Sequence, residues 1–125
     1  MARLERASME IEEVHDPHDA VDFMVLHAKK YAAAKALRIY TEEFRKSKKA
    51  ILFARATGNT IADRENYAYA HPEYREVLKG LQEAVERAEA LKWELVAAQA
   101  RIDVWRSQEA SKDRKSTRLN SSHRT

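Results

Sequence analysis

The chain has 125 residues, of which 44% are hydrophobic and 34% charged, with only two Gly and two Pro. That length suits one domain, and a composition poor in turn residues argues against a β-sandwich, a barrel or a glycine-rich phosphate-binding fold. Twenty-three basic and twenty acidic residues leave a net charge of +3, and the absence of Cys excludes disulfides, thiolate metal sites and cysteine nucleophiles.

No uncharged run approaches the roughly 18–20 residues that a bilayer span needs. The first residues, MARLERASMEIEEV, lack the apolar centre of a signal peptide. The expectation is a soluble, cytoplasmic protein with no membrane partner.

Residues 1–15 carry only a weak pattern in Met9, Ile11 and Val14, which predicts an N-terminal arm. The first long helix is predicted to begin at His15-Asp16-Pro17-His18. Asp16 suits the N-cap, Pro17 the first helical position, and Asp19 and Asp22 the positive end of the dipole. No Gly or Pro interrupts the chain until Gly58, a natural C-terminal stop. The helix thus covers about 17–57, roughly 40 residues or 60 Å. Its predicted core seam is Leu26, Ala33, Leu37, Tyr40, Phe44, Ile51 and Ala54, broken by Lys30 and Ser47.

A short helix is predicted over 60–71, capped by Thr60 with Asp63 three residues on. His71 precedes Pro72, which disfavours helical geometry at His71 and predicts a break. The second long helix is predicted over 72–112. Its seam is Tyr74, Leu78, Leu81, Val85, Ala88, Leu91, Leu95, Ala98, Ile102 and Trp105. Gly80, Ala84 and Ala88 form a line of small residues that would admit a close neighbour and so explain a Gly that costs about 1 kcal/mol inside a helix.

These elements predict an all-α fold, a long antiparallel helical hairpin with a short corner helix. The second long helix has a further apolar line, Trp93, Ala97, Ala100 and Val104. One partner helix cannot cover both lines, so the pattern predicts an oligomeric helical bundle, most simply a homodimer with these four residues at its interface. The N-terminal arm folding back over the same line is the alternative.

Three groups of residues could carry chemistry. The run FRKSKK at 44–49, with Arg38, Arg45, Lys46, Lys48, Lys49 and Arg55, offers a basic stripe able to track phosphates. Tyr31, Tyr67 and Tyr69 are the nearest rings for base stacking. A solvated face part-neutralised by Glu42 and Glu43, or a protein-binding face, reads the same stripe differently. His15, Asp16, His18, Asp19 and Asp22 have metal-like chemistry, but N-capping explains the aspartates and no second ligand motif occurs, so no metal is expected. Tyr67-Ala68-Tyr69-Ala70-His71-Pro72-Glu73-Tyr74 is the most distinctive string; aromatics at a helix corner pack the end of a core or recognise a partner. No nucleophile-and-base spacing, catalytic carboxylate pair or phosphate loop is visible, so neither catalysis nor a cofactor is expected.

KALRIYTEEFRKSKKAILFARA, IADRENYAYAHPEYREVLKGLQEAVE and AAQARIDVWRSQEAS resemble segments of small helical proteins encoded by tailed phages and prophages. The resemblance spans residues 30–112, with YAYAHPEY and RIDVWRSQEAS its most specific parts. It implies a non-enzymatic phage accessory protein in the bacterial host cell, from a gene near recombination or replication functions. Such a protein would bind single-stranded DNA or a recombination partner, or alternatively inhibit a host defence component or host enzyme.

Asp113 to His123, DRKSTRLNSSH, resembles one reading frame of a synthetic adapter used in short-read DNA sequencing. The resemblance implies a metagenomic reading frame whose natural sequence is interrupted near Lys112, with 113–125 a non-native tail. Without that tail, nineteen basic and nineteen acidic residues remain, so the +3 charge gives no support to nucleic-acid binding.

Overall fold

The computed structural model describes residues 16–122, and side chains as far as Arg118. The expected arm at 1–15 and the last residues of the tail lie outside the described residues. The fold is all-α. Helix α1 spans Pro17–Arg55, α2 spans Ile61–Ala70 and α3 spans Pro72–Ser122. No helix among the described residues is long and apolar enough to cross a membrane.

Each boundary has a local cause. The Asp16 carboxylate accepts a hydrogen bond from the His18 amide at 2.7 Å, which satisfies an orphan donor at the start of α1. Helix α1 ends at Arg55, two residues before the expected 57, where the Ala56 amide divides its bond between the Leu52 and Phe53 carbonyls. Gly58 differs from its expected role, because it has no positive φ. A Cβ there would lie 2.7 Å from that of Asp63, so Gly58 is needed for close approach and not for a left-handed stop. The Thr60 hydroxyl accepts from the Asp63 amide at 3.0 Å and caps α2, as its sequence predicts. His71, extended before Pro72, ends α2 and also caps α3, since its Nδ1 accepts from the Glu73 amide at 3.0 Å. Helix α3 continues past the expected end at Lys112, because no Gly or Pro follows to stop it.

The chain divides into two compact units. Unit 1 takes the start of α1 up to Lys29 and α3 from Lys92 onward. Its core is Ala20 and Phe23 of α1 with Ala98 and Ile102 of α3, joined by Met24 and Leu95. His27 is buried beside them, stacked on Phe23 with ring centroids 3.9 Å apart and its Nδ1 3.0 Å from the Phe23 carbonyl. Unit 2, residues 30–91, holds a smaller cluster of Leu52, Ala68 and Tyr74, with Phe53 against it.

The α3 seam follows its expected positions at Tyr74, Leu81, Ala88, Leu91, Leu95, Ala98 and Ile102, although Leu78, Val85 and Trp105 are more exposed. The small-residue line holds at Ala84 and Ala88, both buried, but fails at Gly80, which faces open space.

The α1 seam is corrected. Leu37, Tyr40, Phe44 and Ile51 are exposed, as are Ala33 and Ala54, while Leu26 is half-buried. The covered face is instead Ala20, Phe23, His27, Ala34, Leu52 and Ala56, with Tyr31, Arg38, Thr41, Arg45 and Lys48 half-buried between them. Buried alanines at 34, 84 and 88 permit close helix approach, and a stripe of Leu, Tyr and Phe there would force the helices apart. Arg and Lys stems lie along such a surface while their heads reach carboxylates at its edge.

Candidate functional site

Within unit 2, residues of α1, α2 and α3 line a cleft of about 140 Å³ formed by Arg45, Lys46, Lys49, Tyr69 and Tyr74. Arg45 and Lys49 are four residues apart and therefore share a face of α1. The break at His71-Pro72 redirects the chain between Tyr69 and Tyr74, and the two rings meet edge to face at 5.4 Å.

The cleft is cationic and aromatic. The Lys49 ammonium lies 4.4 Å from the centre of the Tyr69 ring. Its hydrogen bond with Tyr69 holds the Lys49 pKa above the ordinary lysine value, despite some desolvation. Lys46 pairs with Glu43 at 3.2 Å across one turn, on an exposed surface. Arg45 Nε is buried and has no hydrogen-bond partner. A buried guanidinium N–H left unpaired is costly.

The remaining basic residues are committed elsewhere. Lys48 and Arg55 both reach Glu73, at 3.1 and 3.2 Å, and Arg38 reaches Glu89 at 3.6 Å. The bond from Lys48, helped by the charges of Lys48, Arg55 and His71, lowers the Glu73 pKa below the ordinary carboxylate value against the effect of burial. Tyr67 and His71 meet edge to face at 5.5 Å.

Of the expected binding residues, Arg45, Lys46, Lys49 and Tyr69 therefore converge. Arg38, Lys48 and Arg55 do not line the cleft; they reach Glu89 and Glu73 instead. A continuous phosphate-tracking stripe from Arg38 to Arg55 is replaced by one compact cleft. Tyr74 was legible as a seam residue and, with Glu73, as part of the tyrosine-rich corner string. Nothing in their local spacing shows that one lines the cleft and the other collects two cations.

The expected oligomer residues belong to unit 1. Trp93 and Val104 are well exposed, at 60% and 57%, Ala100 is exposed and Ala97 half-buried. Lys92 lies 5.5 Å over the Trp93 ring. Among the described residues no group of three or more His, Asp or Glu could hold a metal ion. Asp16 is occupied as a helix cap.

Compared with known family models, curated proteins and solved structures, the chain matches none of them. The functional reading rests on its own residues.

Proposed function

We propose that the chain is a non-enzymatic, nucleic-acid-binding accessory protein that takes phosphate groups of single-stranded DNA at the Arg45–Lys49–Tyr69 cleft. The observation that carries this reading is the convergence of Arg45, Lys46 and Lys49 with two tyrosine rings on one cleft. Guanidinium and ammonium groups donate to phosphate oxygens, and an aromatic wall offers a base a surface to stack on. The phage resemblance supplies the setting, recombination or replication in the cytoplasm of a bacterial host. The helices would form an antiparallel hairpin, and the exposed Trp93–Val104 line a place for a second copy or partner.

A labelled single-stranded oligonucleotide tests the proposal. Binding is expected to weaken as salt rises, with a slope of about 0.7 per phosphate contacted. The Arg45→Glu, Lys49→Glu double variant should abolish binding, and Tyr69→Ala should weaken it without changing the salt slope. Absence of binding at low salt would defeat the proposal.

A second reading, an inhibitor docking on a host defence component or host enzyme, is favoured by Ile61, which is 71% exposed at the start of α2. A defined host protein retained by the wild-type chain and lost on Ile61→Asp would support it.

A further inference from the structure

The covered positions of the long helices change pattern between the two units. From Tyr31 to Lys48 on α1, and from Tyr74 to Ala88 on α3, they fall on a single line with steps of three and four residues. That is the mark of one helix packed along another. In unit 1 each helix has two such lines. On α3, Leu95, Ala98 and Ile102 belong to the apolar core, yet Glu94, Ala97 and Arg101 are half-buried as well. On α1, Ala20, Phe23 and His27 are buried, and Asp19, Asp22 and Leu26 are half-buried beside them.

At 100° per residue, the second line on each helix lies about 100° round from the first, in the same rotational sense. In an antiparallel pair, lines displaced in the same sense border one groove. A single neighbour facing the first line leaves the second open to water. Shielding of the second line therefore needs a third body. The shielding is plain: Leu26 is half-buried where the adjacent Val25 is 67% exposed, and Arg101 Nη1 is closed off from solvent.

The chain supplies that body. The fifteen residues before Asp16 lie outside the described residues, and they join α1 three residues before Asp19, at the mouth of the groove. Leu4, Ala7, Ile11 and Val14 recur at steps of three, four and three, an apolar stripe among charged neighbours. As a helix, the stretch from Leu4 to Val14 spans about 15 Å, enough for the roughly 10 Å from Asp19 to Leu26 or from Glu94 to Arg101. A tethered segment is held at an effective concentration on the order of millimolar, which favours it over a second copy of the chain. We infer that residues 1–15 fold back as a strap into the groove between α1 and α3 of unit 1, seating the Leu4–Val14 stripe on Leu26 and Ala97. The strap lies beside the Trp93 line and not over it, since Trp93 and Val104 remain well exposed. The inference rests on antiparallel α1 and α3 and does not depend on DNA binding.

Trypsin tests the strap on the full chain, because Arg6 lies within it and precedes Ala7. Cleavage after Arg6, followed by mass spectrometry, is expected to be slow in the wild type. Ile11→Glu should quicken it about tenfold or more, the scale of losing one buried aliphatic anchor. Ala97→Glu should quicken it similarly, whereas Ala100→Glu, at an exposed neighbouring position, should not. Helical circular dichroism should hold in all three variants, which separates undocking from unfolding. Should Ala97→Glu unfold unit 1, the wild type against Ile11→Glu still decides between docked and undocked. Wild-type cleavage as fast as that of Ile11→Glu overturns the inference. A folded Ala97→Glu without effect overturns it too, as does release by Ala100→Glu, which would put the segment on the Trp93 line. Protection that fades on dilution also overturns it, because a second copy would then fill the groove.

Discussion

The two units use different physics. Unit 1 packs Phe23 and Ile102 against Ala20 and Ala98, with the ring of His27 stacked on Phe23. Unit 2 has one small apolar cluster at its corner, and along α1 its covered face carries Arg38, Arg45 and Lys48. Arg38 pairs with Glu89 and Lys48 with Glu73, so charges join helices in unit 2 where methyl groups and rings join them in unit 1. Apolar burial is worth roughly 25 cal/mol per Å² and is insensitive to screening, whereas half-exposed ion pairs are worth about 0–1 kcal/mol and weaken in salt. Unit 1 is held by apolar packing, whereas the long helices of unit 2 are joined in part by charge.

The chain carries its own probes for this contrast. Both tryptophans, Trp93 and Trp105, belong to unit 1, and all five tyrosines, Tyr31, Tyr40, Tyr67, Tyr69 and Tyr74, belong to unit 2. The largest expected effect is in unit 1. Phe23→Ala should cost about 3–5 kcal/mol, because a ring only 2% exposed is replaced by a cavity. Urea unfolding followed by tryptophan fluorescence checks this. Loss below about 1 kcal/mol would show that the cluster is not the anchor of its unit.

The next effect belongs to unit 2. Gly58→Ala should cost about 1–3 kcal/mol, since the added Cβ meets that of Asp63 at 2.7 Å and neither is the end of a flexible chain. A near-neutral result would mean that the 56–60 turn gives way. Tyrosine near-ultraviolet circular dichroism should move with this variant more than tryptophan fluorescence. Thr60→Ala should cost about 1 kcal/mol by removing the α2 cap, and the same tyrosine signal during urea unfolding measures it.

Those positions also separate what the sequence discloses from what it hides. Caps are short-range, so Asp16, Thr60 and the His71-Pro72 break could be read directly and fall at or beside the observed boundaries. The α3 seam was equally legible, because from Tyr74 to Leu91 its apolar residues form only one strong stripe. On α1 two faces compete. One offers Leu37, Tyr40, Phe44 and Ile51, the other Ala34, Leu52 and Ala56 with cations between them. Hydropathy selects the first, but the close approach set by Ala34, Ala84 and Ala88 selects the second. The cleft could be anticipated in composition, from a basic run and a tyrosine-rich corner. Its membership could not, because which cations line it depends on where Tyr69 and Tyr74, distant in sequence, meet α1.

The smallest expected effect sharpens the contrast in acid. Glu73 holds Lys48 and Arg55, and its pKa is lowered in the folded chain. A lowered carboxylate pKa means that its contribution is present above the unfolded value and is lost as the pH falls through the folded one. The window therefore lies below the ordinary 4.5 for this group. In that window the tyrosine-monitored transition of unit 2 should weaken, and Glu73→Gln should flatten this part of the pH dependence. Glu73 is well exposed to solvent, so the change should be small and should shrink further as salt rises. Screening gives the clearest discrimination. Salt should erase the difference between wild type and Glu73→Gln while leaving the difference between wild type and Phe23→Ala intact, because only the first depends on charge. If salt preserved the Glu73 effect, its bond to Lys48 would have to act through fixed geometry more than through its field, and the proposed division between the two units would fail at its most polar point.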